Sequence, residues 1–316
     1  MSNLRELTPS ETSAHLKDVR NLFGMLANKD VYGETGFSAD KEAILKVFQY
    51  TTDVDKKDIL VRLTLIDSMY STQMGRRYYA LDELADVLAK LAGGQKGKLK
   101  KMFLDFAKLP SEKNAKLFDY TEVVGKTKIT KNLFSENYGI GKNGKDKGVA
   151  ISLISKYAYF LTEFNFPIYD SIACEMYPLV WHFCGFEGKC PKLVVTESGR
   201  VQGIKTMILF SNAINQLITQ LNCKGATYDF LDRFLWFVGK IRRGNLSLVL
   251  TREAYEYTMD LYPAQKITPP SKKGEVKTTT EYFNIERVDI QRLVFLEKDP
   301  ILKEFFKLAR FYGHKK

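Results

Sequence analysis

A lysine and an aspartate are the residues of this chain whose types and spacing best suit chemistry. Lys156 lies within an amphipathic helical pattern that runs from Val149 to Leu161 and predicts one exposed face, and Asp170 lies directly before the next helical pattern. Antiparallel packing of the two helices would bring the amine towards the carboxylate, because Lys156 lies only about 9 Å from the end of its helix. The pair would then converge on one cleft.

Both residues also have an ordinary structural interpretation. A lone lysine on a helix is more often solvated than reactive. Aspartate is favoured at helix N-termini, where its carboxylate accepts hydrogen bonds from free backbone amides. The two residues alone therefore leave a chemical role and a structural role open for Lys156 and Asp170.

A loop rich in glycine and lysine precedes the helix of Lys156. It runs from Tyr138 to Gly148 and includes a Gly-Ile-Gly-Lys-Asn-Gly run with the glycine spacing of dinucleotide-binding loops. Such loops follow a buried strand and precede a ribose-binding acid, a context that this sequence lacks. No serine or threonine follows Lys142 or Lys145, which argues against a nucleotide-triphosphate loop. We predict that the loop binds phosphate through its backbone amides or is a surface turn.

The cysteines and histidines do not suggest a metal site or a hydrolase triad. Cys174, His182 and Cys184 fall in one apolar helical run without a close Cys-x-x-Cys pair, which favours buried core residues over zinc ligands. The three histidines lie far apart in the sequence, and no nucleophile elbow accompanies them. We expect the four cysteines to be reduced and the protein to need neither metal nor cofactor.

The elements that must position these residues are predicted to be helices. The run from Asp55 to Leu91 has apolar residues at three-to-four spacing and is interrupted by a polar elbow at 71–75, so it predicts two helices. A turn at Pro167 separates the helix of Lys156 from the helix that begins at Ser171. Further helices are predicted over 10–26, 39–50, a basic stretch after Gly97, 201–221, 227–240 and 300–312.

Strands and domain boundaries have weaker signals than the helices. No convincing alternation of apolar and polar residues is evident in the sequence, and short strands at 192–195 and 246–250 are left open. A segment rich in proline, lysine and threonine, 264–280, is typical of a mobile linker. We therefore predict a helical core over 1–262, a linker over 263–282 and a C-terminal helical segment over 283–316.

The composition favours a globular protein with a polyanionic partner. Hydrophobic residues make up 45% and aromatic residues 13% of the 316 residues, which is enough for a packed core. Forty-eight lysines and arginines against 37 aspartates and glutamates give a net charge of +11, which favours nucleic acid, although the excess could serve solubility alone. The sequence has no stretch typical of a signal peptide or a membrane span, so we expect a cytoplasmic protein.

The arrangement around Lys156 resembles the helix-hairpin-helix DNA glycosylase superfamily. A glycine-rich hairpin precedes a helix that bears a lysine, and a turn with a proline leads to an aspartate at a helix start. The segments Ser155-Lys156-Tyr-Ala-Tyr-Phe and Phe166-Pro-Ile-Tyr-Asp-Ser171 are similar to a bacterial group related to 8-oxoguanine DNA glycosylases. The resemblance extends over 55–185, and it places the hairpin and the catalytic helices at 139–183.

The resemblance implies a mainly α, two-lobed fold with a basic cleft between the lobes. It also implies an enzyme that extrudes a damaged or modified base from double-stranded DNA and cleaves its N-glycosidic bond. Lys156 would attack C1′ and form a Schiff base that permits strand cleavage, and Asp170 would stabilise the positive charge that develops on the sugar. Such an enzyme would serve DNA repair or defence against phages whose DNA carries modified bases.

The same resemblance assigns residues to the DNA and to the extruded base. Ser71-Thr72-Gln73 matches the polar wedge that fills the gap in the duplex, with Gln73 preferred, and Arg76 or Arg77 would bind phosphate. The other predicted DNA contacts, all in the glycine-rich loop, are Gly141, Lys142, Gly144, Lys145, Lys147 and Gly148. The aromatic residues predicted to stack on the base are Tyr157, Tyr159, Tyr169, Trp236 and Phe237. No cofactor is implied, and a monomer is favoured.

Two other functions are left open by the sequence. A catalytically inactive relative would share the basic surface and bind DNA without cleaving it. An unrelated helical protein that binds nucleic acid or acts as a scaffold would need neither Lys156 nor Asp170 for chemistry. In that protein Tyr159 and Trp236 would belong to the core, and the elbow at 71–75 would have no function.

Overall fold

The structure, a computed structural model, describes residues 5–27, 36–70, 72, 74–140, 148–191, 203–267 and 280–313. Most of these residues are helical, which confirms the predicted mainly α fold. The helices are α1 (Pro9–Ala27), α2 (Gly36–Tyr50), α3 (Lys56–Tyr70), α4 (Ala80–Ala92), α5 (Lys98–Lys108), α6 (Glu112–Ala115), α7 (Ile151–Leu161), α8 (Ser171–Phe183), α9 (Ile204–Leu221), α10 (Tyr228–Arg242), α11 (Arg252–Leu261) and α12 (Pro300–Gly313).

Three antiparallel hairpins accompany the helices in the described part of the chain. They pair β1 (Asp119–Val124) with β2 (Thr127–Asn132), β3 (Asn137–Tyr138) with β4 (Gly148–Val149), and β5 (Gln265–Ile267) with β6 (Thr280–Tyr282). The sequence pattern does not predict β1 and β2, because both strands are largely exposed and lack the alternation of a half-buried strand. The sequence left open two short strands, at 192–195 and 246–250. The second stretch begins with a 3-10 turn at Leu246–Leu248, and 192–195 lie outside the described residues.

Helix ends lie where the sequence places capping residues. Thr8 and Glu11 each accept a hydrogen bond from the other's backbone amide at the start of α1. Asp170 accepts from Ala173 N at 2.8 Å and thereby caps α8. Gly93 ends α4 with a φ of 58°, a conformation in which a residue with a Cβ is strained.

Helix α7, which carries Lys156, is enclosed by its neighbours. Nine of its eleven residues are buried, so it is covered on all sides and not amphipathic as its sequence pattern predicts. It packs against α2, α3 and α5. The rings of Tyr157 and Phe160 lie 5.5 and 6.0 Å from the ring of Phe48 on α2. This enclosure removes Lys156 from bulk water.

Helices α8 and α10 pack tightly against each other and fix the start of α8. Gly239 of α10 permits this approach, because a Cβ there would lie 2.4 Å from Ile172 Cγ2. Arg243 Nε donates to Glu175 Oε2 at 2.9 Å and joins the same two helices. The pair therefore holds the cap residue Asp170 in a defined position relative to the side chains of α10.

The C-terminal helical segment shares one hydrophobic core with the helices of the predicted 1–262 core. Helix α12 packs against α10 and α1, and Phe305 stacks on Phe237 with ring centres 4.8 Å apart. Buried His15 of α1 is hydrogen-bonded to Tyr312 of α12 at 3.0 Å. The two ends of the predicted linker pair as β5 and β6, and 268–279 lie outside the described residues.

Candidate active site

Lys156 is a buried lysine that forms no salt bridge with the described residues. It is 4% exposed. Its amine donates to Ser152 Oγ at 2.8 Å, one helical turn earlier, and lies 5.6 Å from the ring centre of Tyr70. Burial lowers the pKa of Lys156, and the charges of Asp170 and Asp232 offset this effect only in part. A desolvated amine of this kind is suited to nucleophilic attack.

Asp170 lies within electrostatic reach of Lys156. The turn that precedes Asp170 is fixed to α7, because Tyr169 N donates to Ser155 Oγ at 3.0 Å. The main packing partner of α8 is α10, and α8 does not lie along α7 as the antiparallel arrangement would require. The structure therefore brings the predicted pair near each other through this turn and through α10.

A second carboxylate, Asp232 of α10, also belongs to the site. It keeps some accessible surface, but protein atoms surround its carboxyl group. Burial, opposed by Lys41 and reinforced by Asp170, raises the pKa of Asp232 to about 7. Sequence reasoning did not select this residue. The signal that could have found it is its three-residue spacing from Asp229, which places both carboxylates on one face of α10.

An ionic network lies beside Lys156 and fixes its helix. Lys41 of α2 donates to Asp229 of α10 at 2.6 Å and to the hydroxyl of Tyr159 on α7. Tyr159 also donates to Asp229, which forms a further ion pair with Arg233 at 3.1 Å. Although burial favours the neutral acid, Lys41 and Arg233 hold the pKa of Asp229 below its usual range. The network ties three helices together around the site.

The end of α3, which leads into the polar elbow, lies next to Lys156. Tyr70, whose ring lies near the Lys156 amine, is the last residue of α3. Asp67 shapes the elbow, because its carboxylate accepts from Met74 N and from Gly75 N, each at 2.8 Å. The residue that leads into the predicted wedge segment therefore lies near the predicted nucleophile.

Basic and aromatic residues follow the elbow at the surface. Arg76 is exposed and Arg77 is half-buried. Tyr78 and Tyr79 are 61% and 69% exposed. Gln73, the preferred wedge residue, lies outside the described residues. The described part of this surface presents cationic and aromatic groups of the kind that bind phosphates and bases.

The glycine-rich loop begins directly against this surface. Tyr78 and Ile140 form an antiparallel bridge with two hydrogen bonds of 3.0 Å. Glycine is required at Gly139, because a Cβ there would lie 2.5 Å from Ala80 Cβ and its φ is 71°. Strands β3 and β4 close the hairpin, and β4 leads into α7. Of the predicted loop contacts, Gly148 lies in β4, and the residues outside the described ranges are Gly141, Lys142, Gly144, Lys145 and Lys147.

The five aromatic residues predicted to stack on a base have different surroundings. Tyr157, Tyr159 and Phe237 are buried in the core, with exposures of 0%, 0% and 6%. Tyr169 and Trp236 are half-buried. The structure therefore leaves Tyr169 and Trp236 with the most surface to offer a base.

Comparisons with known proteins do not assign this site to a family. The chain has no significant match among protein-family models, curated proteins or solved structures. Cys174 and His182 lie in α8 with Cys184 at its end, and the described residues contain no group of three side chains that could hold a metal ion. Within the described ranges, no helix has the length and apolar character needed to cross a membrane.

Proposed function

We propose that this protein is a DNA glycosylase that excises a damaged or modified base, with Lys156 as nucleophile and Asp170 as the stabilising carboxylate. The observation that carries the proposal is the buried Lys156 amine, which lies near two carboxylates without an ion pair to any described residue. Burial of an amine costs free energy unless it is paired, so stability alone does not explain this arrangement. Perturbed groups of this kind concentrate at active sites.

The chemistry depends on the charge states of the two groups. Burial lowers the pKa of Lys156 and so increases the fraction of neutral, nucleophilic amine at neutral pH. Attack on C1′ of the target nucleotide would expel the base, and the Schiff base that follows would permit strand cleavage. Positive charge develops on the sugar as the N-glycosidic bond breaks, and the Asp170 carboxylate would stabilise that charge.

The DNA-binding surface in this proposal consists of the elbow and the glycine-rich hairpin. The bridge between Tyr78 and Ile140 holds the two segments together, and Tyr70 connects the elbow to Lys156. Exposed Arg76 and the net charge of +11 favour a polyanion. DNA bound across both segments would lie on the side of α7 where Tyr70 packs near the amine, and the enclosing side chains would have to move aside for an extruded nucleotide.

Separate replacement of the two residues tests the assignment. We expect Asp170→Asn to lower base release by about 10³-fold while duplex binding persists, because asparagine can still cap α8 but carries no charge. We expect Lys156→Gln to abolish borohydride trapping of a covalent protein–DNA adduct, because no amine remains to form a Schiff base. The measurement uses a panel of duplexes, each with one damaged or modified base, scored for abasic sites and for trapped adduct.

Exposed residues provide the controls for these variants. Lys90→Gln on α4 and Asp260→Asn on α11 should retain binding, base release and trapping. Base release without trapping would show that Lys156 is not a nucleophile and that water attacks under the influence of Asp170. Full activity of Asp170→Asn would place the site elsewhere. Binding without base release from any duplex would favour an inactive DNA-binding relative.

A further inference from the structure

We infer that Asp232 exchanges a proton with Lys156 during the reaction, so that it activates the amine and then protonates the departing base. The inference rests on the proposed glycosylase function. Three features carry it: the position of Asp232 among charged groups, the lack of a bonded partner among the described residues, and a small cavity beside the carboxyl group.

Asp232 lies where charged groups from four helices meet. Helix α10 itself contributes Asp229, α2 contributes Lys41, α7 contributes Lys156, and the start of α8 contributes Asp170. Lys41 and Asp229 are bonded to each other. Asp170 is engaged with the backbone at the start of α8. Asp232 is therefore the carboxylate of this group that is free to take a proton from Lys156.

Asp229 and Asp232 lie one helical turn apart on α10 and differ in their partners. Asp229 receives contacts from Lys41, Tyr159 and Arg233. The described residues form no hydrogen bond or ion pair with Asp232. Asp232 keeps some accessible surface and is paired with none of these charged groups, so its carboxyl group can gain or lose a proton without breaking an ion pair.

A small cavity beside Asp232, whose lining does not include Lys156, leaves room for water at the carboxyl group. Its volume is about 10 Å³, and its lining includes Pro167 and Ile168 from the turn before α8, Ile214 of α9 and Tyr228 of α10. A space of that size holds about one water molecule. A single water can relay a proton between an acid–base group and the atom that it serves.

The ionisation of Asp232 supports this role. Burial raises the pKa of Asp232 to about 7, against the opposing charges of Lys41 and Lys156. General acids and bases act most efficiently when their pKa lies near the working pH. Asp232 can therefore both accept and return a proton at neutral pH.

Each proton has a source and a destination in this scheme. The Asp232 carboxylate takes a proton from the Lys156 ammonium, which leaves a neutral amine and a carboxylic acid. The amine nitrogen forms a bond to C1′ while the bond from C1′ to the base breaks, and that electron pair leaves with the base. Asp232 then gives its proton to the departing base and becomes a carboxylate again.

The first test measures the coupling of the two groups without DNA. Protein labelled with [ε-¹³C]lysine is titrated by NMR, and Lys156→Arg identifies the Lys156 signal. In Asp232→Asn the titration midpoint of the Lys156 amine should fall by about one pH unit, because a negative charge that favours the ammonium is lost. Asp260→Asn, at an exposed position of α11, should leave the midpoint unchanged. An unchanged midpoint in Asp232→Asn overturns the inference.

The second test measures base release. Asp232→Asn should lower the maximal rate by about 10²-fold and move the acidic limb of the pH–rate profile to lower pH, a shift that a purely structural role would not produce. Asp232→Glu should recover part of the rate, and both variants should bind duplex DNA and unfold near the wild-type temperature. The control is again Asp260→Asn.

The outcomes separate this inference from the proposed function. A wild-type rate and pH profile in Asp232→Asn overturn the role of Asp232 and leave the glycosylase function standing. If wild-type protein releases no base from any duplex, the proposed function fails and the catalytic role of Asp232 fails with it. In that case a shifted Lys156 midpoint would show only that the two groups are coupled.

Discussion

The regions around Lys41 and Lys156 each contain a buried lysine, and the two lysines differ in their partners. Their exposures are similar, at 2% and 4%. Lys41 bonds to the Asp229 carboxylate and the Tyr159 hydroxyl, whereas Lys156 bonds to the hydroxyl of Ser152. Burial lowers the pKa of both amines. The Lys41 region therefore keeps its charges in contact, and the Lys156 region keeps them apart.

This difference separates an amine that stabilises the fold from an amine that is available for chemistry. Removal of one partner from a bonded buried pair leaves an uncompensated charge, so the Lys41 region depends on each of its members. An amine held apart from nearby carboxylates can exchange its proton and attack a substrate without breaking an ion pair. The loss of a charged or polar group should therefore lower the stability much more in the Lys41 region than in the Lys156 region.

The largest difference in stability is expected when each lysine is replaced by methionine. Lys41→Met should lower the free energy of unfolding by about 2–3 kcal/mol, because Asp229 would keep only Arg233 and Tyr159 as partners among the described residues. Lys156→Met should stay within about 1 kcal/mol of wild type, because an apolar side chain of similar length replaces an amine that is costly to bury. Urea unfolding at neutral pH measures both values.

Lys90→Met, at an exposed position of α4, is the control for the change of side chain. A loss of stability in Lys156→Met as large as that in Lys41→Met would show that both amines serve the fold. The comparison between the two regions would then be wrong, and with it the argument that Lys156 is buried for chemistry.

A smaller difference is expected between two tyrosines of α7, both at 0% exposure. Tyr159→Phe should lower the free energy of unfolding by about 1–2 kcal/mol, because its hydroxyl bonds to Lys41 and Asp229. Tyr157→Phe should change it by less than about 0.5 kcal/mol, since that hydroxyl faces the Arg62 guanidinium without a hydrogen bond of good geometry. Thermal unfolding of the matched pair measures this difference, and equal losses would contradict it.

The smallest effect is expected from Ser152→Ala, which removes the hydrogen bond to the Lys156 amine. We expect a loss of less than about 1 kcal/mol in stability and a fall in base release of about threefold, because a single hydrogen bond to one hydroxyl contributes little. Thr64→Ala removes an exposed hydroxyl that bonds within α3 and should change neither quantity. A loss of activity as large as that of Lys156→Gln would mean that Ser152 takes part in the chemistry.

The sequence by itself determined the features that depend on neighbours along the chain. Apolar spacing predicts the helices, and Asp170 caps α8 as expected. The helix of Lys156 ends at Leu161, before the turn that contains Pro167. The short connection between Lys156 and Asp170 also limits how far apart they can lie. These features were predictable because they rest on interactions that reach only a few residues.

Tertiary packing alone decided which charges meet and which are removed from water. Lys41 pairs with a carboxylate 188 positions later in the sequence, and no local pattern indicates that partner. Asp232 of α10 lies within electrostatic reach of Lys156 on α7, although the two residues are far apart in the sequence. Lys156 is buried because neighbouring helices enclose α7, whose own sequence predicts an exposed face. Desolvation and ion pairing depend on side chains from distant elements, which is why the chemical character of the site is a property of the folded chain.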